Sequence, residues 1–244
     1  MTTLVLKFGG AALANLECVE RVADIVTTHQ SECKNLVVVV SAMGDMTDHL
    51  LSLARAIHQK PPEREQDMLI SVGERISMAL LAMALDKRGV QAISLTGSQS
   101  GVITCKRHGE ADIVDVRPIR VKQHLDEGNV VIVAGFQGVS ESKEITTLGR
   151  GGSDTSAVAL GSALGAKEII FYKDVGGVFD HDPAMSAEAK LLKRLSYSDA
   201  LPLCEDGGVV HPRAIRLAQK HQMPLRVSSF VTGICGTLIA DKCD

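Results

Sequence analysis

Four unbroken runs of apolar residues constrain the fold of this chain more than any other feature. They occupy residues 4–6, 36–40, 130–134 and 169–172. The runs are rich in Val, Leu and Ile and do not alternate with polar residues, which is typical of strands buried on both faces of a parallel sheet. We therefore expect these four segments to form strands of one buried, mostly parallel sheet.

The stretches between these runs carry apolar side chains at the helical period. Three stripes result: Leu16, Val19, Val22 or Ala23, and Val26; Leu69, Val72, Ile76, Leu80 and Met83; and Ala157, Leu160, Gly161 and Leu164. Gly89 and Gly165 follow the second and third stripes, where glycine commonly ends a helix. Strands that alternate with helices predict βαβ units, and hence an α/β fold whose sheet is covered on both faces.

Glycine and polar residues interrupt this pattern most clearly between residues 135 and 155, where residues 139–145 are polar and hairpin-like. We interpret the region as a hinge between an N-terminal lobe of about residues 1–145 and a C-terminal lobe of about residues 146–244. No Ser/Gly-rich or Pro-rich linker separates the two. We therefore treat the whole chain as a single domain with two closely packed lobes.

Composition narrows the classes of function. Aromatic residues make up 3% of the chain and Trp is absent, which argues against the base stacking used in single-stranded nucleic-acid binding. The formal net charge is −3 and no long Lys/Arg run occurs, so we expect neither a nucleic-acid nor a membrane partner. The six cysteines form no C-x-x-C pair, and the first apolar run is too short for a signal peptide. These features favour a cytoplasmic protein with reduced thiols.

The loop after the first predicted strand combines a cation with two glycines. Lys7 ends the apolar run, and Gly9 and Gly10 precede a helix. Glycines let backbone N–H groups approach an anion and a lysine adds a point charge, so this loop is a candidate phosphate site. A plain strand end with a tight turn explains the same residues equally well. The loop is not a Walker A motif, because G-x-x-x-x-G-K-[ST] is absent.

A similar loop follows the second predicted strand. Ser41 and Gly44 lie where the chain leaves the sheet, and Thr47 begins the next predicted helix. Ligands bind in strand-to-helix loops at the carboxyl edge of a parallel sheet, which makes Ser41 and Thr47 candidate binding residues. Simple capping of the helix by Asp45 or Thr47 is the alternative.

Residues 146–155, with the sequence TTLGRGGSDT, form the most informative segment. Three glycines surround Arg150, and Ser153 and Asp154 then open a helix. Clustered glycines indicate that backbone approaches something closely, and an arginine can hold a carboxylate through two parallel hydrogen bonds. The N-terminus of the helix adds positive potential. Ser153 or Asp154 acting only as a helix cap is the alternative, but we favour an anion-binding site.

Weaker signals occur elsewhere. A predicted strand ends at Asp174 with two glycines behind it, which is typical of a nucleotide pocket wall. Asp180 and Asp182 lack the glycine and glutamate of a calcium loop, so we interpret them as turn residues. His211 leads into a predicted helix, where we expect it to be structural. Glu74 lies on a predicted helix and either faces solvent or binds a substrate amine.

Together these segments resemble the aspartokinase branch of the amino-acid kinase family. The family motifs K-F-G-G-T-S, V-S-A-M-G-x-T-T-D, G-E-x-x-S, T-G-S-Q-x-G, G-F-Q-G and T-T-L-G-R-G-G-S-D-T have counterparts at residues 7–12, 40–48, 73–77, 96–101, 135–138 and 146–155. The last motif is intact and is the most specific. The resemblance extends over nearly the whole chain.

The resemblance implies a three-layer αβα sandwich, with the amino acid in the N-terminal lobe and ATP over the C-terminal lobe. It also implies a homodimer that phosphorylates the side-chain carboxylate of aspartate in amino-acid biosynthesis, with ATP and Mg²⁺ as cofactors. Of the implied catalytic residues, Lys7 bridges the phosphates and Asp154 orients Lys7. The implied substrate-binding residues are Thr47, Glu74, Thr147, Arg150 and Ser153, and the implied nucleotide- and phosphate-binding residues are Lys7, Gly9, Gly10, Ser41, Lys173, Asp174, Phe179 and Asp182. No residue is implied as a metal ligand, because ATP itself largely holds the metal.

The chain departs from the family motifs at four places. Alanines at 11 and 12 replace Thr and Ser, Lys173 replaces a Thr, Ala184 replaces an Arg and Gly208 replaces a Lys. The ATP side therefore lacks two family cations, and Lys173 is a candidate replacement for one of them. Nothing after residue 239 forms an ACT regulatory domain, so we expect no inhibition by lysine or threonine through this chain alone.

These departures leave three functions open. The first is an active aspartokinase. The second is an amino-acid kinase retuned to another acidic amino acid in a specialised pathway, which Ala11 and Ala12 would explain. The third is a non-catalytic binding or regulatory subunit, which the missing cations would explain. The intact Lys7, Asp154 and segment 146–155 weigh against the third.

Overall fold

The computed structural model describes residues 2–181, 188–205, 208–233 and 235–241. The strands are β1 (Thr3–Phe8), β2 (Asn35–Val40), β3 (Ala92–Leu95), β4 (Val102–Thr104), β5 (Ile113–Val116), β6 (Val130–Ala134), β7 (Gln137–Ser140), β8 (Ile145–Thr147), β9 (Ile169–Lys173), β10 (Arg194–Leu195), β11 (Leu225–Ser229) and β12 (Cys235–Ile239). The helices are α1 (Leu16–Glu32), α2 (Met46–Ile57), α3 (Glu63–Ile70), α4 (Val72–Asp86), α5 (Ile119–Asp126), α6 (Gly152–Leu164), α7 (Tyr197–Cys204) and α8 (Pro212–His221), and a short 3₁₀ turn (Gly10–Leu13) follows β1.

Eight strands form one sheet in the order β10-β12-β11-β9-β1-β2-β6-β3. Neighbours are parallel except for the antiparallel pair β11 and β12. The four predicted strands are all confirmed, and as β9, β1, β2 and β6 they lie side by side at the centre of the sheet. Because β9 pairs directly with β1, strands from both sides of the predicted hinge share this sheet.

A second, four-stranded sheet has the order β5-β4-β7-β8. The predicted hairpin within the hinge region is confirmed, since β7 and β8 pair in antiparallel fashion with Val139 opposite Ile145. This sheet brings the segment before Arg150 beside the connection between β4 and β5.

Two separate hydrophobic cores cover the faces of the large sheet. On β1, Val5 belongs to the core that includes side chains of α5, α6, α7 and α8. Leu6 and Phe8 belong to the other core, which includes side chains of α1 and α4. Burial on both faces explains the unbroken apolar runs. The α/β class and the helix–sheet–helix layering predicted from the sequence are confirmed.

The second predicted helical stripe is wrong. Ser71 separates α3 from α4, so the stripe does not lie on one helix. Met83 is 67% exposed and Ile76 is 36% exposed, whereas Met78 and Leu81 face the core. The buried side of α4 is thus displaced by one residue from the predicted one.

A close approach of α4 to the loop after β2 explains which side of α4 is buried. A Cβ atom on Gly73 would lie 2.8 Å from Cβ of Ala42, so only glycine lets α4 pack this tightly on the loop after β2. Residues Glu63–Asp86 have the length and mean hydropathy of a membrane span, but half of their most apolar window is buried within the fold. Such burial is typical of a core helix.

The third stripe is confirmed, and so is the first from Val19 onward, whereas Leu16 at its start is 64% exposed. On α1, Val19, Val22, Ala23 and Val26 are buried. On α6, residues 152–161 are buried on nearly every side, and the helix ends at Gly165, whose φ of 62° lies in the left-handed region. The burial of α6 places its N-terminus inside the protein, at the end of the central strands.

Candidate active site

The carboxyl ends of the central strands open into a cavity of about 520 Å³, called the central cavity below. Phe8 on β1 pairs with Val40 on β2 and with Tyr172 on β9, so the loops after these strands begin at the same level. Of the residues predicted to bind substrate or phosphate, those that line the cavity are Lys7, Gly9, Gly10, Ser41, Thr47, Glu74, Arg150, Ser153, Asp154 and Lys173.

A buried ion pair lies on one side of this cavity. Nζ of Lys7 is 2.6 Å from Oδ1 of Asp154, and Nζ of Lys173 is 3.4 Å from Oδ2 of the same carboxylate. Burial lowers the pKa of Lys7, an effect that Asp154 opposes. Burial also tends to raise the pKa of Asp154, but Lys7 and Lys173 outweigh it and hold that pKa below its ordinary value. Asp154 is therefore an anion between two cations.

A left-handed glycine at the start of α6 gives Asp154 this position. The helix cap is Gly151, with φ of 69°, so the prediction that Ser153 or Asp154 could merely cap the helix is wrong. A Cβ atom at Gly151 would lie 2.0 Å from Cγ of His211. Because His211 packs so closely, its backbone N–H can donate to Oδ2 of Asp154 at 3.2 Å. Ser153 and Asp154 consequently occupy the first turn and line the cavity.

Glu74 occupies another wall of the central cavity and is only 3% exposed. The alternative that it faces solvent is therefore wrong. Its Oε1 accepts a hydrogen bond from the backbone N–H of Ala42 at 3.1 Å, while Oε2 has no hydrogen-bond partner among the residues that the structure describes. Burial raises the pKa of Glu74 to about 8, although two backbone hydrogen bonds and the charge of Lys7 act in the opposite direction. One oxygen is thus available to a donor from a ligand.

The loops after β1 and β2 pack against each other. Backbone N–H of Gly44 donates to the carbonyl of Gly10 at 3.1 Å, and a Cβ atom at Gly10 would lie 3.0 Å from the carbonyl oxygen of Gly44. Asp45 occupies the cap position of α2, but its side chain makes no capping hydrogen bond. The capping alternative for this segment is therefore not confirmed, and Ser41 and Thr47 both line the cavity.

Arg150 lies at the mouth of the cavity and is exposed. Its guanidinium forms no ion pair or hydrogen bond with any residue in the described part of the chain. An arginine without an internal partner beside a buried cation pair and a buried carboxylate can bind an anionic group of a ligand.

Three predicted residues that the structure describes do not line the cavity. Thr147 is fully buried, and its hydroxyl donates to Oδ1 of Asp67 at 2.6 Å. Asp174 is exposed and Phe179 is half-buried, and neither lines the central cavity. Asp182 lies outside the described residues.

The interpretation of Asp180 and Asp182 as turn residues is not confirmed. Asp180 accepts a hydrogen bond from the backbone N–H of Lys190, ten residues away, at 2.8 Å, and Asp182 lies outside the described residues. The structural interpretation of His211 holds. His211 caps α8, where its Nδ1 accepts from the backbone N–H of Arg213 at 3.3 Å.

One departure from the family motif has a steric basis. A Cβ atom at Gly208 would lie 2.3 Å from Cα of Cys204, so a lysine does not fit there without a shift of α7. Lys173, in contrast, lines the cavity. Ala184 lies outside the described residues.

Sequence reasoning missed the wall formed by α3 and the connection from β4 to β5. Gln66, Ile70 and Gly109 line the cavity, and the buried Asp67 lies behind them. α3 has the sequence EREQDMLI. Because other acidic residues precede Asp67 in this helix, the sequence suggests that Asp67 belongs to a solvent-exposed face. Only the pairing of Asp67 with a distant loop distinguishes it, and that pairing has no local sequence signal.

In the described ranges, no group of three or more His, Cys, Asp or Glu side chains lies close enough together to hold a metal ion. Mg²⁺ commonly binds through substrate phosphates and one or two carboxylates, so this finding bears only on a site built from protein side chains alone.

Comparison with known proteins identifies relatives of the whole chain. The model of the "Amino acid kinase family" matches residues 2–229. The aspartokinase of Geobacillus stearothermophilus is 47% identical over 243 residues, which are 99% of this chain and 60% of that protein. The chain thus spans about three fifths of the length of this relative.

Two solved structures are similar over nearly the whole chain. An aspartate kinase from Synechocystis is 42% identical with a TM-score of 0.88, and the match covers 100% of this chain and 40% of that one. E. coli aspartokinase III, solved in complex with aspartate and ADP, is 27% identical with a TM-score of 0.88, covering 99% and 65% respectively. The fold thus has solved counterparts.

Proposed function

This chain belongs to the amino acid kinase family, and on that premise we propose that it transfers the γ-phosphoryl group of ATP to the side-chain carboxylate of aspartate. The product is aspartyl phosphate, made as a step of amino-acid biosynthesis. Relatives and solved structures named as aspartokinases, one of them holding aspartate and ADP, support this proposal.

The observation that carries the proposal is the polarity of the central cavity. One wall holds Lys7 and Lys173 around Asp154. Among the described residues, one oxygen of Glu74 on another wall has no hydrogen-bond partner, and Arg150 at the mouth has no ion pair. A zwitterionic amino acid with a second carboxylate matches these charges. Its ammonium suits Glu74, one carboxylate suits Arg150, and the other faces the lysines.

The reaction needs charge and position more than a base. A carboxylate is ionised at neutral pH, so one of its oxygens can bond to the γ-phosphorus directly. The bond from that phosphorus to the bridging oxygen breaks, and the electron pair leaves with ADP. Lys7 and Lys173 offset the repulsion between the two anions, and Asp154 holds Lys7 in place.

Other parts of the proposal follow from the same premise. Thr47 and Ser153 are proposed to contact aspartate, Ser41 to contact phosphate, and Asp174 and Phe179 to lie toward the nucleotide. We propose that Mg²⁺ binds together with the ATP phosphates. A homodimer and a cytoplasmic location remain proposals too.

The positions of Ala11 and Ala12 give no support to the alternative of a kinase for another acidic amino acid. Ala11 and Ala12 do not line the central cavity, and Ala12 is 1% exposed within the core. The intact ion pair of Lys7 and Asp154 likewise gives no support to a non-catalytic subunit.

The test is formation of aspartyl hydroxamate from aspartate, ATP, Mg²⁺ and hydroxylamine. We expect product from the parent protein and from Arg120→Ala, which removes an exposed arginine on α5 away from the cavity. Arg150→Ala should lose at least about 100-fold in kcat/KM for aspartate, because it removes a charged hydrogen-bonding partner of a carboxylate. Product with glutamate but not with aspartate would support retuning, and no product with any acidic amino acid would contradict the kinase.

A further inference from the structure

A buried carboxylate outside the cavity wall has no part in the chemistry above. Asp67 on α3 is 0% exposed. Its oxygens accept the backbone N–H of Gly109 at 3.1 Å each, and Oδ1 also accepts the hydroxyl of Thr147 at 2.6 Å. Nδ1 of His108 lies 2.7 Å from Oδ2. These four residues are called the Asp67 network below.

This network joins three separate segments of the chain. Asp67 belongs to α3, His108 and Gly109 belong to the connection between β4 and β5, and Thr147 ends β8. A buried carboxylate is costly unless hydrogen bonds compensate for its lost hydration. The three segments therefore have to stay together for the anion to remain satisfied.

The network borders the central cavity on the side of Arg150. Gly109 lines the cavity directly, and the backbone N–H of Ala111 donates to the carbonyl of Thr147 at 2.8 Å. A Cβ atom at Gly149 would lie 3.2 Å from the carbonyl oxygen of Gly109. The backbone just before Arg150 thus rests on the loop that Asp67 holds.

The network also borders the helix that carries Glu74. Asp67 accepts, through its carbonyl, the backbone N–H of Ser71 at 3.1 Å, and Ser71 is the residue between α3 and α4. The side chain of Gln137 donates to the carbonyl of Ser71 at 2.7 Å. Glu74 follows in the first turn of α4.

We propose that Asp67 is a positioning residue that fixes the separation between Glu74 and Arg150, and so selects the length of the acidic amino acid. The proposal rests on the function proposed above, in which these two residues bind the ammonium and a carboxylate of the substrate. Thr147, whose hydroxyl points to Asp67, then acts through the network and not by direct contact with the substrate.

Two variants weaken the network with little change of shape. Asp67→Asn removes the charge, and Thr147→Val removes the hydroxyl. Both should raise KM for aspartate by about tenfold, the usual effect of one unsatisfied buried partner, while KM for ATP stays within about twofold. Both should also lower the ratio of kcat/KM for aspartate to kcat/KM for glutamate. Thr147→Ser, which keeps the hydroxyl, should restore parent behaviour.

The control is Asp115→Asn on β5. This carboxylate belongs to the same small sheet but is exposed and pairs only locally, with Nε of Arg117 at 2.7 Å. It should leave both KM values and the discrimination unchanged. Equal effects of Asp115→Asn and Asp67→Asn would overturn the assignment.

Hydrogen exchange gives a readout that does not depend on activity. Amides of residues 105–112 should exchange faster in Asp67→Asn and Thr147→Val, while amides of β1 and β2 keep their protection, which also shows that the variants fold. Unchanged exchange at 105–112 would overturn the anchoring role even if the parent had no kinase activity. Faster exchange with an unchanged KM for aspartate would overturn the positioning role, whereas absence of hydroxamate from the parent would contradict only the function.

Discussion

Asp154 and Glu74 are two buried carboxylates at matching positions in two different helices. Each lies at the third residue of its helix, α6 or α4, and each lines the central cavity. Burial pushes both pKa values up, and the helix N-terminus favours both anions. Their pKa values nevertheless move in opposite directions from the ordinary range.

The difference lies in the cations beside them. Asp154 is 2.6 Å from Lys7 and 3.4 Å from Lys173, whereas Glu74 has a backbone N–H and one oxygen without a partner in the described part of the chain. The charge of Asp154 is completed within the protein. The charge of Glu74 requires a cation from outside, which in the proposed function is the ammonium of the substrate.

Removing the charge of Asp154, the carboxylate that is neutralised within the protein, should have the largest effect on activity. Asp154→Asn removes the anion that holds Lys7 and leaves two neighbouring cations without their counter-charge. Because Lys7 then loses its fixed position against the transferred phosphoryl group, we expect kcat to fall by about 10²–10³-fold. The measurement is the rate of a single turnover with saturating ATP and aspartate.

The matched control is Asp86→Asn, which removes an exposed carboxylate at the far end of α4. It should leave the single-turnover rate at the parent value. A rate in Asp154→Asn within about threefold of the parent would contradict the role given to the pair.

Removing the charge of Glu74, the carboxylate left for a ligand, should change KM for aspartate more than kcat. Glu74→Gln keeps the shape but cannot become an anion, so KM for aspartate should rise by about 10–100-fold with kcat nearly unchanged. Since the pKa of Glu74 is about 8 in the free protein, the side chain is mostly protonated at pH 6. Binding of an ammonium favours the ionised form, so KM should fall as the pH rises from 6 to 8.

The measurement is KM for aspartate at several pH values between 6 and 8 for both proteins. The parent should show a decrease approaching tenfold per pH unit at the low end, and Glu74→Gln should show almost none. An equal pH dependence in both proteins would mean that another group controls binding.

The smallest effect on activity is expected for Lys173, the second cation beside Asp154. Lys173 is partly exposed and lies farther from Asp154 than Lys7 does. Its proposed task is to replace one of the cations absent on the ATP side, so Lys173→Ala should raise KM for ATP by about three- to tenfold and KM for aspartate by less. Unchanged ATP binding in this variant would reject the replacement.

Several features could be predicted from the sequence because their signals are local. The four apolar runs give strands that are adjacent in the sheet, since a strand buried on both faces needs apolar residues at every position. The glycines around Arg150 mark the first turn of α6, because Gly151 has a left-handed φ and lies against His211. The residues alone make Lys7 a candidate phosphate-binding cation at the end of the first apolar run, whereas the role of Asp154 comes only from the family resemblance.

Other features depended on contacts between distant segments. α4 is apolar on most sides, so its sequence permits two buried stripes, and packing of Gly73 on Ala42 selects one of them. Thr147 belongs to the segment most specific to the site, yet its hydroxyl faces Asp67 on another helix.

The sequence by itself determined the central strands, the segments that meet at their carboxyl ends and the types of charge available there. The tertiary structure alone decided which carboxylate is neutralised by the protein and which is left for a ligand. The physical reason is that a pKa depends on burial and on cations within a few ångströms, and residues 7, 154 and 173 become neighbours only when β1, α6 and β9 pack together.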